Sequence, residues 1–193
     1  METKKKIMDT AFELFAKKGI SFSLSEVAME VGIKKASIYA HFQSKESLVT
    51  EIIEKELKEY FFEINQENDN LEKIFYGVLK YFNNSHIKLL FWKRLLLLPP
   101  EAIDDGIIDK VHLLSDHRFE VVKKVIKAEA NRGIIVSGSE DSICLMFFAL
   151  VHGLLSSELI YHPYNIKEHY EKIWKQFMRS IEVKNKHHEE KKC

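Results

Sequence analysis

Apolar residues recur at three- and four-residue spacing along nearly the whole sequence, and only three prolines and seven glycines interrupt them. Such spacing buries one face of a helix per segment, and no alternating run is present from which a sheet face could be built. The expected fold class is therefore all-α. At 193 residues the chain can bury one or two hydrophobic cores without a disulfide or metal staple. Its two cysteines, Cys144 in an apolar run and Cys193 at the end, make no disulfide framework and fit a reducing compartment.

Segment by segment the helices can be placed. Ile7, Ala11, Leu14 and Phe15 fall at i, i+4, i+7 and i+8, so a first helix ends near Lys18 and Gly19 caps it. Ser23-Leu24-Ser25-Glu26 matches a capping box, and Leu24, Val27, Ala28 and Val31 form the inward face of the helix it opens. Gly32 supplies a left-handed turn. The next helix has Ile38 and Phe42 as apolar anchors one turn apart, with Lys34, Lys35, Ser37, Tyr39, Ala40 and His41 around its start and outer faces. Ser44 then caps a fourth, longer helix carrying Val49, Ile52, Ile53, Leu57, Tyr60, Phe61 and Ile64, which the polar NQENDN stretch breaks. Further helices are predicted over 69–83, 86–98 and 104–132. Residues 142–161 are apolar nearly all round, so one face meets the core and another a partner subunit. Ile166, Tyr170, Ile173, Trp174, Phe177 and Ile181 stripe the last helix, before a charged, flexible tail at 184–193.

Charge and motif content narrow the function. Formal net charge is zero, but residues 1–47 hold eight lysines against six acids, a net of +2 that leaves −2 for the remainder. The N-terminal METKKKIMDTAFELF has no continuous apolar segment of the kind that directs export, and LLFWKRLLLLPP at 89–100 is broken by Lys93 and Arg94. A cytoplasmic protein with no membrane partner is expected, and 89–100 reads as a buried helix. No P-loop, HExxH or Gly-rich dinucleotide fingerprint occurs. Ser115, Asp116 and His117 are adjacent on one helix and point in different directions, so they make no triad. His187, His188 and Cys193 lie in the tail without groups to orient them. Neither catalysis, nor a metal, nor a cofactor is expected.

Ala28, Gly32 and Ile38 have the types and spacing of a helix-turn-helix: a small residue where two helices nearly touch, a permissive turn residue and an apolar anchor on the second helix. The outward residues of that second helix would enter the major groove of DNA, with neighbouring basic and hydroxyl groups on phosphates. Ile7, Ala11, Leu14, Phe15 and Gly19, S-L-S-E-V-A at 23–28, Gly32 and S-I-Y-A-H-F-Q-S-K-E-S-L at 37–48 resemble the N-terminal DNA-binding domain of the TetR family of transcriptional regulators. The likeness covers about the first quarter of the chain.

The resemblance implies a three-helix head, residues 1–47, on a larger helical body, 48–183, that binds a small-molecule effector and forms a homodimer through its last two helices. It assigns DNA contact to Ser23 and Ser25, to Lys34, Lys35, Ser37, Tyr39 and His41 around the recognition helix, and to Lys45 at the start of the fourth. The implied function is a ligand-responsive repressor on a palindromic operator. Where family members often have serine and glycine, this chain has Lys34 and Ala36, which leaves capping of the recognition helix to backbone or water and adds a phosphate-binding charge. Among the aromatic residues and histidines of the body, Trp92, His117, Phe147 and His152 are the candidate effector contacts, although core packing is the commoner role of such side chains. The competing class is a helical small-molecule-binding protein or enzyme whose head does not bind DNA.

Overall fold

The computed structural model describes residues 2–64, 70–97, 105–161 and 165–183. Side chains from residue 61 to 64, the prolines after 97 and the tail with His187, His188 and Cys193 lie outside the described set. The described residues are helical: α1 Glu2–Lys18, α2 Leu24–Val31, α3 Lys35–Tyr39, α4 Lys45–Ile64, α5 Leu71–Asn83, α6 His86–Leu97, α7 Asp105–Asn131, α8 Glu140–Ile160 and α9 Tyr170–Ile181. Single 3-10 turns at Gly19–Ser21 and Ile166–His169 precede α2 and α9. The all-α expectation holds, and among the described residues extended pairing is limited to one isolated antiparallel bridge, Ile135 with Glu182.

By packing the chain divides into two units, one within 1–66 and 80–115 and the other within 67–79 and 116–193. In the first unit α1 buries Ile7, Ala11, Leu14, Phe15 and Ala16. Phe91 of α6 fills the space beside that stripe, with ring centroids 4.7 Å from Phe12 and 5.0 Å from Phe15. Gly19, at φ +64, turns the chain out of α1. Next to it the Arg94 guanidinium donates to the Ala16 and Lys17 carbonyls at 2.7 and 2.6 Å, satisfying acceptors that the end of a helix leaves open. The first unit therefore includes the head and α6 in one packed body, held by an aromatic contact and a charged clasp.

In the second unit α9 turns Tyr170, Trp174, Phe177 and Ile181 inward at helical spacing. Trp174 stacks on Phe75 of α5 at 4.8 Å, and Phe147 of α8 lies 6.2 Å from Phe177. Glu129, 4% exposed, accepts the Leu71 backbone N–H at 2.9 Å and so caps α5 from the end of α7. Val136 N–H donates to the Ile181 carbonyl at 2.7 Å, closing the loop after α7 onto the end of α9.

Candidate nucleic-acid interface

Local chemistry builds the head's two short helices. Ser23 and Glu26 close a full capping box on α2: the Glu26 N–H donates to Ser23 Oγ at 3.2 Å, and Ser23 N–H donates to Glu26 Oε2 at 2.7 Å. Lys18 also donates to the Glu26 carboxylate, and that bond, followed by those from Ser23, holds the acid at about 2. Gly32, at φ +76, ends α2, and Ile33 N–H reaches back to the Ala28 carbonyl at 2.9 Å. Lys34 caps α3 without a side-chain hydrogen bond, and the Ser37 N–H donates to the Lys34 carbonyl at 2.8 Å. Backbone bonding thus replaces a hydroxyl cap at this turn.

Ile38 is fully buried and Phe42 nearly so, which fixes α3 against the head core. Every polar candidate around α3 is then exposed: Lys34, Lys35, Ser37, Tyr39 and His41 all face solvent. The helix itself is short, Lys35–Tyr39, so His41 stands beyond its end. Ser25 is exposed on the first turn of α2. Ser23 is exposed too, but its hydroxyl already donates to Glu26 Oε2 at 3.0 Å. A phosphate oxygen would have to displace that carboxylate to take the proton.

The charges of the head are not equally available. Lys4 pairs with Glu51, Lys6 with Glu2, Lys17 with Glu13 and Lys18 with Glu26. Lys45 is half-buried, donates to the Ile20 carbonyl and sits 4.9 Å from the centre of the Phe22 ring. Lys5, Lys34 and Lys35 have no ion-pair partner among the described residues. Two of these three free lysines project at the turn between α2 and α3.

The four effector candidates are divided between the two units. Trp92 is buried in the first unit, against Tyr60 at 5.0 Å. His117, Phe147 and His152 belong to the second, where Phe147 is core and both histidines lie on exposed helix faces. Sequence reasoning passed over Glu56 and Lys88, which lie beside Tyr81, itself a neighbour of Trp92. Glu56 is 3% exposed, and burial raises its carboxyl to about 7. Burial likewise pushes the Tyr81 phenol up to about 12. The only hint in the sequence was Glu56 standing between Ile53 and Leu57 on the apolar stripe of α4.

The geometry has counterparts among known proteins. The sequence profile of bacterial regulatory proteins, tetR family, matches residues 7–52. Over 46 residues the chain is 50% identical to the biofilm operon icaADBC negative transcriptional regulator IcaR of Staphylococcus aureus (strain Newman), covering 23% of this chain and 25% of that one. Over 54 residues it is 43% identical to the transcriptional regulator AcrR of Shigella flexneri, covering 28% and 25%. These matches span about a quarter of each relative's length. The ketosteroid transcriptional regulator KstR2 of Mycobacterium tuberculosis shares the fold at a TM-score of 0.72, with 16% identity over 94% of this chain and 95% of that one. Residues 7–52 thus match the profile of the tetR-family N-terminal domain, and the chain shares its fold with a solved transcriptional regulator.

Proposed function

We propose that the chain is a ligand-responsive transcriptional repressor that binds a two-fold operator as a homodimer and leaves it when a small molecule occupies the body. It acts in the cytoplasm, where its DNA is. The observation that carries this reading is the α2–α3 turn, which exposes Lys34 and Lys35, without an ion-pair partner among the described residues, beside Ser37 and Tyr39 while Ile38 and Phe42 anchor the helix from behind. In this scheme residues 1–47 read DNA, and 48–183 sense the effector and dimerise.

Roles follow from what each group has free. Lys34 and Lys35 neutralise phosphates or reach guanine edges; Ser25 and Ser37 donate hydroxyl protons; Tyr39 offers a ring to a thymine methyl and a hydroxyl to the backbone. His41 and Lys45 flank this surface on the side of α4, and Ser23 contributes by holding α2 in register. The dimer face is the outer side of α8, where Leu145 and Met146 are exposed beside Ala149 and Gly153. α8 is also long and apolar enough to cross a membrane, at mean hydropathy 2.0. A second copy of the same face accounts for that apolar surface in a protein that must reach DNA.

The deciding experiment is a mobility shift at several salt concentrations with fragments from upstream of its own gene. A preferred fragment, bound with an affinity that falls steeply with salt, is expected. Lys35→Ala and Ser37→Ala should change which sequence is preferred. Equal binding to all fragments, or none to any, favours the helical small-molecule binder instead.

A further inference from the structure

Three buried polar side chains of the first unit stand near Lys88: Glu56 on α4, whose Oε2 has no hydrogen bond, and Tyr81 on α5, whose hydroxyl has the Trp92 indole of α6 and the Lys88 ammonium as its polar neighbours. Their residues are 3%, 4% and 7% exposed. A buried carboxyl oxygen without a hydrogen bond is uncommon in native folds, and this one belongs to a side chain that shares Lys88 with an aromatic cluster. The Tyr60 ring joins the aromatic members, 5.2 Å from Tyr81 and 5.0 Å from Trp92, with Phe82 at 5.8 Å.

We infer that this cluster is a binding site for an organic cation, with Glu56 as the counter-charge and Tyr60, Tyr81, Phe82 and Trp92 as an aromatic wall. The inference rests on the effector-responsive reading above and names the chemical class of the effector. Charge balance supports it. The charged groups around Glu56 are Lys55 and Glu59 on α4, Lys88 on α6 and Asp9 on α1. Lys55 lies 3.4 Å from Asp9 and 3.8 Å from Glu59, while Lys88 lies 3.0 Å from Glu59 and 4.0 Å from Glu56. When Glu56 is ionised, three carboxylates face two ammonium groups. An incoming cation balances the set; an incoming anion worsens it.

Lys88 already acts out the contact. Its ammonium sits 4.7 Å from the centre of the Tyr81 ring and 4.0 Å from Glu56, too far for a hydrogen bond. Its short contact is with the more exposed Glu59. A ligand cation can take the position over the ring while Lys88 keeps Glu59. Because burial keeps the Glu56 carboxyl neutral up to about 7, occupation by a cation expels its proton. Binding then tightens as pH rises through neutrality.

The test is calorimetric titration of the full chain with benzyltrimethylammonium and with neopentylbenzene, its neutral isostere. The cation is expected to bind at least tenfold more tightly than the isostere, more tightly at pH 8 than at pH 6, and with proton release at pH 7. Glu56→Gln should erase the preference for charge while leaving the isostere's affinity in place. Lys88→Met, which keeps an apolar stem and removes the internal cation, should tighten the cation and carries the test if Glu56→Gln does not fold. Equal affinity for the two probes, no binding of either, an undiminished preference in folded Glu56→Gln, or unchanged or weaker cation binding in Lys88→Met would overturn the inference. None of these readouts involves DNA, so they can fail while operator binding stands, and operator binding can fail while they succeed.

Discussion

Two carboxylates are buried among the described residues, and they are held in opposite ways. Glu129 accepts the Leu71 amide and works as a helix cap; Glu56 Oε2 has no hydrogen bond and stays neutral to about 7. A carboxyl whose folded value lies above its unfolded one favours folding when both states are protonated. That contribution is fully present below about pH 4.5 and is lost as pH climbs through about 7. The loss amounts to about 3 kcal/mol at most. Glu56→Gln should flatten this part of the profile, so the gap in urea midpoint between wild type and variant should shift in the variant's favour from pH 5 to pH 8. A gap that does not move with pH would remove Glu56 as a buried acid. Lys45 has a structural task beside the DNA contact proposed for it. Its bond to the Ile20 carbonyl and its place over Phe22 hold the start of α4 to the turn after α1. Lys45→Ala should therefore lower stability by about 1 kcal/mol and, as a lost phosphate contact, reduce the salt slope of DNA binding by about one. A stability loss with an unchanged slope would leave Lys45 a structural residue.

At the level of elements, α6 shows how far a sequence can be read. Its existence and extent were legible, since apolar spacing predicts 86–98 and the helix runs His86–Leu97. What Lys93 and Arg94 do there was not, because the partner of Arg94 is the end of α1, 77 residues away. A cation inside an apolar helix signals a specific acceptor without naming it. The head was more legible because its determinants are local: Ser23 with Glu26, Gly32 with Ala28, and Ile38 with Phe42 all lie within a few residues of one another. The same limit hid the cluster at Glu56, which three helices assemble. For α6 the expectation is concrete. Arg94→Met keeps the stem and loses two charge-assisted bonds, so stability should fall by about 2 kcal/mol. Amide exchange should quicken first at the end of α1, near Ala16 to Gly19. Uniform change across the chain, or none at those amides, would show that the clasp does not hold α1.

For the whole molecule, the question is what satisfies the outer face of α8. Leu145 is 61% exposed and Met146 47%, and Ile160 at the far end of the same helix is 66% exposed. Between them lie Ala149 and Gly153, also exposed, whose small side chains let a second helix approach closely. Isolated exposed apolar residues need no explanation, but a continuous face does. In the proposed homodimer a symmetric pair of such faces would cover it with one operation, and the same two-fold axis would give two recognition helices to one operator. Linking two heads makes the second half-site encounter intramolecular, which raises affinity by about 10²–10⁴ over a single head. Leu145→Glu places a carboxylate in that face while leaving the buried side of α8, Ile143, Cys144 and Phe147, untouched. The variant should sediment as a folded monomer and lose at least a hundredfold in operator affinity, while its weak non-specific binding to DNA persists. A variant that still sediments as a dimer would place the interface elsewhere; a monomer with full operator affinity would mean that one head suffices.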